Sequence, residues 1–436
     1  MQIGPGAWVR MAASCSRLPA PGPSRSMLAV DAGGGDLLYF SLTGGGDPPA
    51  GPCPRPPPLL QPLLAGGGRA LSLAVCAPGE QRVPAARLHA ELRRALAGDG
   101  GGSRRVLDLL AFRPADLAGS LRRGFLLLEP RGAPAAGQRG LPRLLAPHLP
   151  RLRVCAYELD SRGRVWQCPW EPGRARRVVE AAAPGPEVHP AVPSLRRAAL
   201  FGCWQEAQRV LQECIPFIPE VKEVLEVWEK CPKYPQKGNF PVIVVEGLDA
   251  TGKTTLTQSL KDSLRAILLK SPPACISQWR KIFDDEPALI RRAFYALGNY
   301  IVASEIAMES TKSPVIVDRY WHSTAAYALA TEVSGGLHNL PGHHHEVYQW
   351  PEDLLKPDLV VLLTLSPEER AHRLQGRGTE KTKEEVELES NILFRKKVEE
   401  LYKRMENPGC IAVDASPSRE EVIRNVLHLI KNHCLI

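Results

Sequence analysis

A chain of 436 residues with 44% hydrophobic content has the size for two cores and the apolar share of an ordinary globular protein. Its net charge of +8 suits anionic substrates but is too diffuse to mark a nucleic-acid binder, so no nucleic-acid partner is expected. No apolar run approaches the roughly 18 residues that span a bilayer, and 11 scattered cysteines without a C-x-x-C pair argue against a disulfide framework or a zinc site.

Residues 1–30 hold no Asp or Glu but carry Arg10, Arg17 and Arg25 among Ser and Ala. That composition predicts a mitochondrial transit peptide and import to the matrix; a disordered tail of biased composition is the alternative. Residues 31–190 are rich in Gly, Pro, Ala and Arg. Tracts such as Pro48 to Pro58 and Gly98 to Gly102 read as loops. Between them, Leu71 to Cys76, Gly124 to Leu128, Leu152 to Leu159 and Arg164 to Cys168 read as strands, the last two flanking the turn Asp160-Ser161-Arg162-Gly163. Val83 to Leu96 reads as a helix, with Leu88, Leu92 and Leu96 at i, i+4 spacing. The result is a smaller α+β domain without a catalytic constellation, its role undeclared. Cys155 and Cys168 lie across the predicted hairpin and are expected to stay free thiols.

No lysine precedes Lys222, and lysine is frequent after it, which marks a compositional seam. Around it, residues 191–237 form a predicted helical connector, with helices Ser194 to Cys214 and Glu220 to Glu229 separated by Pro216 and Pro219. Residues 238–436 then alternate strand and helix. Strands are predicted at Pro241 to Val245, Pro314 to Val317, Asp358 to Leu365 and Cys410 to Val413. Helices are predicted at Thr254 to Leu268, Glu286 to Ser310, Pro367 to Gln375, Lys383 to Met405 and Ser418 to Lys431. The fold class is α/β: a parallel sheet of the phosphate-loop NTPase type, flanked by helices, with ligands at the C-terminal ends of the strands.

Three motifs carry chemistry. Gly247, Leu248, Asp249, Ala250, Thr251, Gly252, Lys253, Thr254 and Thr255 fit G-x-x-x-x-G-K-[ST] between a strand and a helix. Loop N–H groups and the helix N-terminus face a nucleotide's phosphates. Lys253 supplies a mobile positive charge for the β and γ phosphates of that nucleotide, and the Thr254 hydroxyl can ligate Mg²⁺. At the end of the apolar strand Val315 to Val317, Asp318 offers a carboxylate to Mg²⁺ or to the attacking oxygen, and Arg319 a fork for a phosphate. Arg370, Arg373 and Arg377, at i, i+3, i+7, share one helix face and lead into the lid-like stretch Arg377-Gly378-Thr379-Glu380-Lys381. His343-His344-His345, in a Pro-Gly loop, reads as solvated rather than metal-binding, and His322 as an acceptor-pocket or packed residue.

Together, Glu246-Gly247-x-Asp249-x-x-Gly252-Lys253-Thr254-Thr255, Asp318-Arg319-Tyr320 with Ser323, Pro357-Asp358-Leu359 and Arg373-x-x-x-Arg377-Gly378 resemble the thymidylate kinase family over residues 238–436. The long N-terminal extension resembles that of an atypical branch acting on pyrimidine monophosphates. The resemblance implies transfer of the ATP γ-phosphate, with Mg²⁺, to UMP, CMP, dUMP or dCMP. It also implies that Asp318 and Arg319 serve the acceptor phosphate and its metal. Tyr327, with Tyr295, flanks the base, and Arg373 and Arg377 close over the donor. Two departures stand out. Asn299 occupies the place of an arginine that reads the thymine carbonyl; an amide carries donors and an acceptor, which suits uracil or cytosine. The family's Phe-Pro-x-Arg is replaced by Ser271-Pro272-Pro273-Ala274, leaving Lys270 or Arg280 to compensate. A thymidylate or deoxynucleoside kinase, a phosphate-loop switch and a scaffold are the alternatives; no N-K-x-D guanine motif supports the switch. A homodimer stays open.

Overall fold

The computed structural model describes residues 25–44, 55–76, 82–98, 104–132, 141, 143–171, 173–182, 184–375 and 383–434. Its N-terminal part is a closed antiparallel barrel. The strands are β1 (Ser26–Asp31), β2 (Leu37–Gly44), β3 (Arg69–Val75), β4 (Arg105–Phe112), β5 (Arg122–Glu129), β6 (Leu152–Leu159), β7 (Val165–Pro169) and β8 (Arg177–Ala181), in the order β1-β2-β8-β7-β6-β3-β5-β4, with β4 pairing back to β1. Closure pairs every strand on both sides and removes the exposed edges that invite aggregation. At Gly124 a Cβ would lie 1.7 Å from the Leu73 carbonyl oxygen, so the close approach of β5 to β3 requires glycine there. Helix α1 (Leu60–Ala65) and helix α2 (Arg82–Gly98) pack on the barrel; α2 buries Val83, Leu88, Leu92 and Leu96, the predicted stripe. Helix α3 (Leu117–Ser120) is a single turn between β4 and β5.

The sequence reading undercounts this region. It locates β3, β5, β6, β7 and α2 but misses β1, β2, β4 and β8. Strand β1 also lies inside the stretch assigned to a transit peptide: residues 26–30 are folded into the barrel, Arg25 donates to the Ser41 hydroxyl at 3.0 Å, and residues 1–24 fall outside the described residues. Cys155 pairs with Pro169 and Cys168 with Ala156, and all nine described cysteines are free.

The C-terminal part is a five-stranded parallel sheet of β9 (Val242–Gly247), β10 (Ile267–Lys270), β11 (Val315–Asp318), β12 (Leu359–Thr364) and β13 (Ile411–Asp414), ordered β10-β11-β9-β12-β13. Central β9 is buried on both faces. Val242 and Val244 enter one apolar cluster and Ile243 and Val245 the other, as a period of two requires. Helices α4 (Leu195–Ala198), α5 (Trp204–Cys214), α6 (Val221–Glu229), α7 (Lys253–Leu264), α8 (Ala274–Ser277), α9 (Arg280–Asp284), α10 (Ala288–Glu309), α11 (Trp321–Glu332), α12 (Pro367–Gln375), α13 (Lys383–Ser390), α14 (Ile392–Arg404) and α15 (Arg419–His433) complete it. No helix among the described residues is long and apolar enough to cross a membrane.

Three predicted helices change. Ser194 to Cys214 breaks at Phe201, whose φ is 51°. Thr254 to Leu268 stops at Leu264, where Arg265 turns left-handed (φ 50°) and starts edge strand β10. Lys383 to Met405 breaks at Asn391, whose side chain caps α14 by accepting from the Phe394 N–H at 2.9 Å. The predicted connector is part of the C-terminal core. Trp228 on α6 is fully buried against Trp204 and Tyr300, and α5 lies along α10.

The two parts are clasped together. The Gly336 N–H donates to the Gly35 carbonyl at 2.7 Å, Arg87 pairs with Glu286 at 3.3 Å, and Arg123 pairs with Glu332 at the end of α11.

Candidate active site

Strand β9 places one carboxylate in an otherwise apolar run. Glu246 is fully buried and accepts the backbone N–H groups of Tyr320 (2.9 Å) and Ser323 (3.1 Å) as well as the Ser323 hydroxyl. Burial pushes its pKa up, against those hydrogen bonds and the nearby charge of Arg319. These contacts lock the end of β9 to the first turn of α11.

The chain then turns through Gly247 (φ 143°), Ala250 (φ 68°) and Gly252 (φ 93°). A Cβ on Gly247 would stand 2.7 Å from the Leu363 carbonyl oxygen of β12, so β9 and β12 meet only over a glycine. Gly252 caps α7. The Thr251 hydroxyl and the Lys253 ammonium both donate to the Leu248 carbonyl, at 2.8 and 2.7 Å. Burial and the neighbouring Arg319 push the Lys253 pKa down to about 7, against the pull of Asp249, Asp318 and Glu246. A lysine so poised regains its full charge when phosphate oxygens approach.

Strand β11 runs parallel to β9 and sets Asp318 level with Val245, at the same sheet end as the glycine turn. Arg319 follows with φ 67°, a left-handed conformation that costs a residue with a side chain on the order of 1 kcal/mol. That twist turns its guanidinium back onto the loop, where it donates to Asp249 Oδ1 (2.7 Å), the Gly247 carbonyl (3.1 Å) and Ser323 Oγ (3.1 Å). Burial works against its charge, but Asp249 and the groups around it hold its pKa well above the ordinary value.

The arginine row divides. Arg370, 3% exposed, donates from Nε to the Asp249 carbonyl at 3.1 Å, while its Nη2 is buried without a hydrogen-bond partner. Arg373 instead donates to Glu369 (2.8 Å) and to the Ala415 carbonyl (2.9 Å), beside the end of β13. Arg377 lies outside the described residues. Of the two described members, the side chain aimed at the phosphate loop is therefore Arg370; the i, i+3, i+7 spacing gives a shared face but not which member points inward.

Asn299 is fully buried in α10. Its Oδ1 accepts from the Ser271 hydroxyl at 2.6 Å and its Nδ2 donates to Thr324 Oγ1 at 3.0 Å. Asn299 thus spends its amide on two hydroxyls, Ser271 after β10 and Thr324 on α11. Tyr327, buried on α11, meets the Phe394 ring edge-on. Tyr295 is anchored by its hydroxyl, which donates to Asp284 at 2.7 Å and accepts from Arg280 at 2.9 Å. Arg280 is therefore already tied into that cluster. His322 is a packed residue: fully buried, with Nε2 at 2.9 Å from the Pro408 carbonyl, and held by burial down to about 4.

The sequence motifs give no role to Glu246, Ser271, Thr324 or Tyr402. Tyr402 lies 2.9 Å, hydroxyl to hydroxyl, from Ser323. Glu246 had a usable signal, a carboxylate inside an apolar strand; the hydroxyls had none. The histidine loop is locally engaged, His344 with Glu406 at 2.6 Å and His345 with the Val347 N–H at 3.2 Å. Among the described residues no group of three or more His, Cys, Asp or Glu can hold a metal by itself. The donors at the phosphate loop, the Thr254 hydroxyl and the Asp318 carboxylate, fit a Mg²⁺ ion shared with phosphates.

The thymidylate kinase family profile matches residues 245–426. The mitochondrial UMP-CMP kinase 2 of Homo sapiens is 56% identical over 406 residues, 91% of this chain and 90% of that protein. The thymidylate kinase of Schizosaccharomyces pombe is 27% identical over 209 residues, 44% of this chain and 91% of its own length. The solved thymidylate kinase of Candida albicans aligns at a TM-score of 0.35 and 22% identity, over 44% of this chain and 92% of its own. The chain belongs to the thymidylate kinase family of phosphate-loop nucleoside monophosphate kinases, in the branch typified by mitochondrial UMP-CMP kinase 2.

Proposed function

We propose that this kinase transfers the γ-phosphate of ATP to the 5′-phosphate of UMP, CMP and their deoxy forms, by direct in-line attack without a covalent enzyme intermediate. One observation carries the reading: Arg319 and Arg370 both converge on Asp249 of the glycine turn, with Asp318 at the neighbouring strand end. Donor and acceptor phosphates would meet between them. The N–H groups of residues 247–255 cradle the donor, and Lys253 bridges its β and γ phosphates. Thr254 and Asp318 hold Mg²⁺, which when bound neutralises charge on the transferring phosphoryl group. Arg319, kept charged and tied to Asp249, grips the acceptor phosphate. Arg370 offers its unused nitrogen to an equatorial oxygen, and Arg373 and Arg377 close from the lid side. Tyr327 and Tyr295 border the base. Asn299 acts behind the base pocket, fixing Ser271 and Thr324. The Thr324 hydroxyl, accepting from Asn299, keeps its own proton to donate or a lone pair to accept, which tolerates either uracil or cytosine.

The resemblance to a mitochondrial relative and the composition of residues 1–25 support import into mitochondria, with the matrix as destination. The test is a coupled ATP-consumption assay of the full chain against UMP, CMP, dUMP, dCMP, dTMP and uridine. Turnover with the pyrimidine monophosphates and none with uridine is expected. Turnover with uridine alone, or ATP hydrolysis indifferent to acceptor, would replace this reading with a nucleoside kinase or a phosphate-loop switch.

A further inference from the structure

A cavity of about 2350 Å³ opens between the barrel and the kinase half, and no residue of the phosphate loop lines it. Its barrel wall is α2 with β4 and β5; its kinase wall includes the C-terminal end of α11 and the start of α14. Positive charge gathers along it. The Arg93 guanidinium lies 5.2 Å over the Phe125 ring, on which His89 also stacks at 4.6 Å. Arg123 crosses the cleft to Glu332, and Lys397 projects from α14, donating to the Val333 carbonyl at 2.8 Å. Two histidines lie near these cations, His89 in the cavity wall and His189 beside Ser334. Burial, then Arg93 and Arg123, hold His89 down to about 3. Burial, then Arg123 and Lys397, do the same to His189.

Several acids of the lining are paired: Glu206 with Arg82 and Arg209, and Glu286 with Arg87, while Glu91 lies 3.8 Å from His148. Asp108 pairs with Arg93, Glu332 with Arg123, and Asp31 accepts the N–H groups of Gly33 and Gly335 at 2.9 and 3.2 Å. Two cations in the same wall are not paired in this way. Arg94 donates only to the Ala90 carbonyl, and Arg122 only to the carbonyls of Gly119 and Leu121. Among the described residues neither has a carboxylate partner. A recessed surface with surplus guanidinium donors attracts a compact polyanion.

We propose that this cleft binds a phosphate-bearing metabolite, a nucleoside triphosphate or a free polyphosphate, gripped by Arg94 and Arg122. The volume exceeds the roughly 300–1,000 Å³ typical of small-molecule pockets, so it holds a nucleotide with room for water. Arg93 and Arg123 supply field rather than direct contacts, because their forks are committed to carboxylates.

The test uses the full chain with its active site filled by a pentaphosphate linking adenosine to uridine, and titrates CTP by calorimetry. One further equivalent of CTP is expected to bind. Arg94→Glu with Arg122→Glu should weaken it at least tenfold while leaving the thermal midpoint and basal UMP phosphorylation unchanged. The milder pair Arg94→Gln and Arg122→Gln gives the same readout if charge reversal impairs folding. Absence of a second equivalent, or a second equivalent indifferent to both pairs, overturns the proposal. Displacement of CTP by inorganic tripolyphosphate at equal concentration assigns recognition to the phosphates; persistence of CTP assigns it to the nucleotide. Failure of the linked pentaphosphate to bind would count against the kinase reading alone, since CTP binding in the cleft is still read through the Arg94 and Arg122 variants.

Discussion

Two buried carboxylates, one in each half, separate structure from chemistry. Glu129 closes β5 of the barrel with each oxygen 2.8 Å from a guanidinium, Arg69 on one side and Arg104 on the other. Glu246 stands one residue before the end of β9 of the kinase sheet, but its direct partners are two backbone N–H groups and a serine, and the neighbouring charge of Arg319 is turned to the phosphate loop. In the barrel the carboxylate is matched by dedicated cations. In the kinase half positive charge is buried beyond its pairing, in Lys253 and the open nitrogen of Arg370, and the surplus lies where phosphates are expected. A buried charge needs compensation; where the protein supplies only part of it, a ligand completes the set.

The sharpest break of this contrast is Lys253→Ala set against Glu129→Gln. The first should lower kcat/KM for UMP by about a thousandfold or more, with little change in melting. The second should leave kcat/KM within about twofold and lower the thermal midpoint by about 4 °C or more. Coupled kinetics and calorimetric melts read both, and equal losses of activity would erase the distinction. Next in size, Arg370→Ala should cost about a hundredfold in kcat and Arg373→Ala about tenfold. The reverse order would mean that α12 presents a different face during turnover. Asn299→Ala frees Ser271 and Thr324 and should change the ratio of kcat/KM for UMP over CMP by about tenfold. An unchanged ratio across all four acceptors would remove Asn299 from base selection.

The smallest effect is a proton count. Lys253, at about 7 when folded, lies below the roughly 10.4 of an unfolded lysine. Between those values the unfolded chain binds more protons, so this residue's contribution to stability rises with pH across that window. Bound phosphates should restore the charge. At pH 8, ATP binding should therefore take up a fraction of a proton, seen by calorimetry in buffers of different ionisation enthalpy. Zero uptake would mean the lysine is charged before ATP arrives.

The sequence carries the two halves unequally. The kinase sheet is readable because its buried strands are short β-branched runs and its glycine loop has one geometry that works. Four barrel strands escape because their apolar residues do not alternate cleanly: β4 reads Arg-Val-Leu-Asp-Leu-Leu-Ala-Phe, with one face against α2 and the other partly covered. At the site, Lys253, Asp318 and Arg319 follow from their motifs. The Ser271–Asn299–Thr324 triad does not, because its members are 28 and 25 residues apart and only the packing of α10 against β10 and α11 unites them. Arg370 escapes as the inward member of its row because a helical period fixes spacing and leaves rotation about the axis undetermined.

The border at which lysine first occurs falls inside α6, three residues before the helix delivers Leu225 and six before Trp228, the indole that Trp204 and Tyr300 enclose. Cutting the molecule at that border would strip a wall from the catalytic half and leave a tryptophan slot gaping beside α10. The change of amino-acid dialect is thus no perforation line. Whatever history joined the two stretches, residues from both sides of the border fill one core.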